Sequence, residues 1–207
     1  MRTTTALRPT IRGQRGFTML EIIVILAVIA IMAAVLSPMV LNYIDDAKMT
    51  KAESDVKTLG KLVLTLAKDV QHFPMYTDGT TTTGDPTIDI LRGPGNNPTD
   101  GTGTLAWLTT TKIGDLDNHL VKNAPGGIKY ATTGRFFWKG PYLEKVNEDP
   151  WGNRYLVNIK NGNPNDTAKK VIWVLSAGPN GKIETDPNSL ADSGPAPGGD
   201  DVAVRIR

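Results

Sequence analysis

The chain contains no cysteine, which excludes a disulfide framework, a thiolate nucleophile and every cysteine-ligated metal site. The absence does not place the chain in a reducing compartment, because a domain drawn from 207 residues buries enough core without covalent staples. Histidine is nearly as scarce. His72 and His119 are the only two, and neither lies in the H-x-x-x-H or H-E-x-x-H spacing of a metal site, so each reads as a surface or structural residue. Val174 stands where a nucleophile elbow around Ser176 needs glycine. The Gly178 to Lys182 stretch lacks the spacing of a phosphate-binding loop. Acidic residues are plentiful but unplaced, too weak a pattern to nominate a glycosidase-like pair. No enzyme is expected, with a membrane-anchored enzyme as the remote alternative.

Acid is missing from one place in particular. The first sixteen residues hold Arg2, Arg8, Arg12 and Arg15 and no carboxylate. Without them the chain keeps 19 of its 23 Lys and Arg against 21 Asp and Glu, so the formal charge of +2 becomes a net −2. The folded part therefore offers no basic patch for nucleic acid.

Next to the basic segment lies a run of fifteen uninterrupted apolar residues, Ile22 to Leu36. Extended over 17–41, it is broken only by Thr18, Glu21, Ser37 and Pro38, and as a helix it is long enough to cross a bilayer. A buried core helix and a cleaved secretory signal are the rival readings. The run is long for a signal core, and no A-x-A site comes after it. The arginines keep the leader cytoplasmic and send the rest outward. Glu21, one residue before the run, is a carboxylate in a segment built for lipid. It needs either a partner that physics alone does not name or access to the headgroups.

Beyond Pro38 the pattern becomes amphipathic. Val56, Leu59, Val63, Leu66 and Val70 alternate at intervals of three and four, with Leu62 and Ala67 widening the stripe. One long helix from about Phe17 to Val70 is expected, kinked or locally melted at Pro38 and stopped before Pro74. Glu53 and Lys57 form a favourable i,i+4 pair. Ala27, Ala30 and Ala34 permit close helix contacts in the apolar half.

The remainder is turn-rich, in keeping with its share of the chain's 21 Gly and 14 Pro. Residues 77–104 read as a long exposed loop, including the Thr run 80–83. Short helical turns are expected at Leu105 to Leu108 and Ile113 to Val121. Strands are expected at Phe136 to Trp138, Arg154 to Ile159 and Val171 to Ser176. The last two would form a hairpin across a Gly-Asn-Pro-Asn turn, giving a small antiparallel sheet packed on the helix. Trp138, Trp151 and Trp173 are expected in or near the core, an aromatic ligand platform being the other reading.

The heptapeptide Arg15-Gly-Phe-Thr-Met-Leu-Glu21 resembles the processing site of type IV prepilins and pseudopilins. The resemblance implies cleavage after Gly16 by a prepilin peptidase on the cytoplasmic face, followed by N-methylation of Phe17. It also implies an assembly role for Glu21, the fifth mature residue, pairing with a neighbour's terminal amine, and a family proline at Pro38. Met19 stands where leucine is commoner. Two later segments, Gly140-Pro-Tyr-Leu-Glu-Lys with Asp149-Pro-Trp-Gly-Asn-Arg-Tyr, and Leu175-Ser-Ala-Gly-Pro-Asn-Gly, resemble the major pseudopilin of type II secretion systems. The lack of cysteine suits that subgroup.

The implied fold is α+β, a pilin-like fold whose long N-terminal helix packs on a small antiparallel sheet. Its parts are a leader over 1–16, a transmembrane and filament-core helix over 17–41, an amphipathic continuation over 42–72 and a periplasmic part over 73–207. The implied role is a structural filament subunit, the major pseudopilin that assists export of folded exoproteins. A type IV pilus subunit is the alternative, and a minor pseudopilin the third reading. The implied partners are copies of itself, the prepilin peptidase, an inner-membrane assembly platform, minor pseudopilins, secreted cargo and the outer-membrane secretin. The implied location is the inner membrane, with the N-terminus cytoplasmic and the C-terminal domain periplasmic. The resemblance further implies calcium in the late loop, with Ala177 through its carbonyl, Asn180, Asp200 and Asp201 as ligands and Asp186 in competition. Asn180 stands where the family usually has aspartate, and 182–199 is longer than the usual connection. No EF-hand spacing occurs, and ordinary solvated loop acids are the other reading.

Overall fold

The computed structural model describes residues 16–74, 88–101, 106–126, 129–162, 171–188 and 196–206. The basic residues of the leader, the Thr run 80–83 and most of the expected Gly-Asn-Pro-Asn turn lie outside them. The chain divides into two compact units, Met1–Ile44 and Asp45–Arg207.

Helix α1 runs Met19–Val70, and the helical assignment continues through position 38. In the first unit its described side chains are exposed, Ile22 to Leu36 included. Helix α1 is long and apolar enough, by length and composition, to cross a membrane. In the second unit α1 shows one buried stripe: Ala52, Val56, Leu59, Val63 and Leu66. These are the expected positions, with Leu62 and Val70 packed at its margin. Thr50, Thr58 and Thr65 are accommodated because each hydroxyl donates to the carbonyl four residues earlier. The Glu53–Lys57 pair forms at 3.1 Å on the exposed face. The helix stops at Gln71, whose φ of 66° is left-handed, ahead of Pro74.

The second unit holds strands β1 (Ile90–Arg92), β2 (Thr99–Asp100), β3 (Ile113–Asp115), β4 (Leu156–Val157), β5 (Trp173–Ser176), β6 (Lys182–Ile183) and β7 (Val202–Arg205). Helices α2 (Ala106–Thr109) and α3 (Leu116–Leu120) and a 3-10 turn over Ile159–Gly162 complete it. The main sheet has the order β3-β1-β4-β5-β7, and β2 pairs with β6 separately. Side chains alternate between two cores. Leu91, Val157, Val174 and Ile172 join the stripe of α1. Ile90, Leu156, Trp173 and Leu175 pack with Trp107 of α2 and Ile183 of β6 on the other face. A sheet covered on both sides explains why 171–175 is a continuous apolar run rather than an alternating one. Gly60 lets β7 approach the helix closely, since a Cβ there would lie 3.3 Å from the Val204 side chain and 2.8 Å from that of Ile206 just beyond the strand.

Four expectations are corrected. The sheet is mixed rather than antiparallel, because β1 and β3 pair in parallel. Residues 88–101 are not an exposed loop: Ile88, Ile90 and Leu91 are core residues, and the strand is hidden among turn-forming neighbours. Ile113–Asp115 is a strand, with the helical turn beginning only at Leu116. Phe136 to Trp138 is no strand; Trp138 is held by its N–H on Ala131 and its indole on the His119 carbonyl. The aromatic cluster signals anchoring, which sequence composition does not separate from pairing. The β4–β5 hairpin forms as expected.

Candidate functional site

Two places carry the candidate residues. At the head of α1, Gly16 has open space around it and Phe17 is 75% exposed. Thr18 and Glu21 form a reciprocal cap: the Glu21 N–H donates to Thr18 Oγ1 at 3.2 Å, and the Thr18 N–H to Glu21 Oε2 at 3.5 Å. This is the Ser/Thr-x-x-Glu capping box, which satisfies two orphan donors at the helix start. Its signal stands in the sequence as Thr18-Met-Leu-Glu21, obscured by the apolar run beside it. The carboxylate is placed at the positive end of the helix, where negative charge is favoured.

The second place is the late loop after β5. Ser176 and Ala177 are fully buried. Gly178 comes next at φ 62°, pressed so close that a Cβ would collide with the Asp200 carbonyl oxygen. Only glycine fits there without displacing the 198–201 segment. The Asn180 N–H donates to Asp200 Oδ2 at 3.1 Å, and Asn180 Oδ1 accepts from Lys182 N–H at 2.6 Å. Asp201 Oδ2 accepts from the Glu184 N–H at 2.9 Å and from the Thr185 N–H and hydroxyl, each at 2.6 Å. Burial pushes the Asp201 carboxyl up from the usual range and the nearby Glu184 charge adds to that, against the opposing pull of its Thr185 and Glu184 hydrogen bonds.

Thus residues 176–180 and 200–201, far apart in sequence, meet. Asp186 is engaged in its own turn, accepting from the Asn188 N–H at 2.8 Å. Glu184, Thr185 and Gly178 belong to the arrangement, although the sequence does not mark them as ligands or supports. Their roles arise from backbone contacts that no local spacing announces.

Asp200 Oδ1 and Asp201 Oδ1 are both buried and lack a hydrogen-bond partner among the described residues, a costly condition for carboxylate oxygens. Hard oxygen donors of this kind suit calcium. Among the described residues no group of three or more Asp, Glu, His or Cys has the arrangement of a metal site.

The histidines are structural in placement. His119 is completely buried, its Nδ1 2.6 Å from the Tyr130 hydroxyl. His72 Nδ1 lies 2.9 Å from the Phe73 carbonyl.

Residues 11–37 match the family model described as the prokaryotic N-terminal methylation motif. The chain is 26% identical over 173 residues to type II secretion system core protein G of Escherichia coli K12, covering 84% of this chain and 87% of that protein. It is 27% identical over 145 residues to the protein of that name from Pseudomonas aeruginosa, covering 70% and 72%. The Dickeya chrysanthemi protein is 28% identical over 176 residues, with 84% of each chain covered. No solved structure matches.

Proposed function

We infer that this chain, a carrier of the prepilin-type methylation motif and similar over most of its length to type II secretion core protein G, is the major structural subunit of a secretion pseudopilus. The observation that carries the reading is the pairing of that motif with similarity extending across the globular part. The motif alone would leave the type IV pilus open. Cleavage after Gly16 frees the Phe17 amine, which is methylated in a second step, and the exposed Phe17 and open Gly16 favour access by a peptidase. Until extraction, the apolar half of α1 anchors the subunit in the inner membrane, with the second unit in the periplasm. On assembly, Glu21 exchanges its cap on Thr18 for the terminal amine of a neighbouring copy, so neither charge is buried unpaired. Pro38 relaxes the helix ladder where the copies pack. Repetition of one heterologous contact builds the homopolymer. Minor pseudopilins, the assembly platform, the secretin and secreted cargo complete the partners.

Calcium belongs to the same reading. Ala177 through its carbonyl, Asn180, Asp200 and Asp201 would hold it, with Asp186, which accepts the Asn188 N–H, in competition. The ion would supply positive charge to the two unpartnered carboxylate oxygens and clamp the loop. The role in secretion is tested by comparing the secreted proteome with and without the gene. Selective loss of a set of exoproteins, retained in the periplasm, is expected. An unchanged secretome beside lost surface fibres would transfer the chain to a type IV pilus.

A further inference from the structure

The turn Asp149-Pro-Trp-Gly-Asn153 is tied to the late loop by one buried carboxylate. Asp149 is 3% exposed, and described donors converge on both of its oxygens. Its Oδ1 accepts the N–H groups of Trp151 at 2.9 Å and Asn153 at 2.7 Å, which closes the turn. Its Oδ2 accepts the Ser176 hydroxyl at 2.6 Å. Ser176 Oγ in turn accepts the Gly178 N–H at 3.3 Å. Through Gly178 the contact reaches Asp200, whose carbonyl lies against the glycine. The turn therefore holds the loop at its start, on the Ser176–Gly178 side of Asn180.

A carboxylate with hydrogen-bonded oxygens in a dry setting is held rigidly, because each charge-assisted bond is short and costly to leave unmade. We propose that Asp149 is the positioning residue of the late loop, acting through Ser176 and Gly178 to fix Asp200 where its oxygens serve an ion. It rests on the calcium reading for the identity of that ion, while the positioning itself needs none. Asp149 lies outside the loop and holds no ion. It acts as the supporting group that sets the geometry of ligating oxygens, a task that usually decides affinity.

The test uses the full chain in detergent micelles, with amide hydrogen exchange read residue by residue. The variants are Asp149→Asn, which keeps an acceptor for the turn, and Ser176→Ala, which cuts the link from the opposite side. Both are expected to speed exchange at the Gly178 and Asn180 amides about tenfold or more. The β5–β7 ladder amides of Val174 and Val204 should change little, and the double variant should add little to either single one. Titration with calcium chloride should then require about tenfold more ion in each variant than in the parent to slow those same amides. Uniform acceleration across the ladder, or unchanged loop amides, would overturn the positioning role and reduce Asp149 to a general core contact. Acceleration at the loop in the variants, with calcium leaving the parent's exchange untouched, would uphold the positioning role and remove calcium from the proposed function.

Discussion

Acid titration probes how the second unit buries His119. Burial holds its imidazole down at about 3, against the upward pull of the Asp115 charge and with a further downward push from His72. The geometry gives the reason: Nδ1 meets the Tyr130 hydroxyl, while Nε2 is buried with no partner among the described residues. A second ring proton would put charge on an imidazole whose Nε2–H has no acceptor in a dry site. In the unfolded chain the same histidine titrates near 6.5. Its folded value is depressed, so the unfolded state takes up the proton first as pH falls. The neutral histidine costs nothing above about pH 6.5, and the penalty grows from there down to about pH 3. Each unit of that window removes about 1.4 kcal/mol, so moving from pH 7 to pH 5 should cost about 2 kcal/mol, roughly a thirtyfold shift in the folding equilibrium. Urea unfolding of the protein in micelles, monitored by tryptophan fluorescence at each pH, measures this. Whatever plateau His119→Gln starts from, its stability should be flatter by that amount between pH 7 and pH 5. Carboxylates common to both proteins cancel in the comparison. Parallel curves for parent and variant over this range would refute the assignment of a neutral, buried His119 ring.

Two further outcomes are expected. Glu21→Ala removes the reciprocal cap with Thr18 and the carboxylate proposed for the neighbour's amine; membrane insertion should persist while filament yield falls, and normal filament yield from the membrane-inserted variant would sink the pairing. Gly178→Ala forces a side chain into the left-handed region against the Asp200 carbonyl; a loss of at least about 1–2 kcal/mol is expected in urea unfolding, and an unchanged midpoint would show that the 198–201 segment moves aside freely.

Much of the fold is legible in residue order alone. The apolar run at Ile22 to Leu36 and the stripe Val56, Leu59, Val63 and Leu66 are local periodicities, and α1 buries that stripe in the second unit as its spacing requires. The β4–β5 hairpin is legible because its strands are close in sequence and separated by turn residues. Strand β1 is not, since three apolar residues among Gly, Pro and Asn acquire meaning only through pairing with β3 and β4. The candidate loop divides in the same way. Asn180, Asp200 and Asp201 stand out through a family likeness, whereas Asp149, Ser176, Glu184 and Thr185 become visible only through contacts between distant segments.

Residue order alone carries the membrane-length helix, the methylation motif and the amphipathic face, because each is written in residue type at short, regular intervals. Tertiary structure alone decided the mixed strand order, the neutral burial of His119 and the meeting of Gly178 with Asp200. These depend on which remote backbones come within hydrogen-bonding distance, and water is excluded there only once the whole unit has closed.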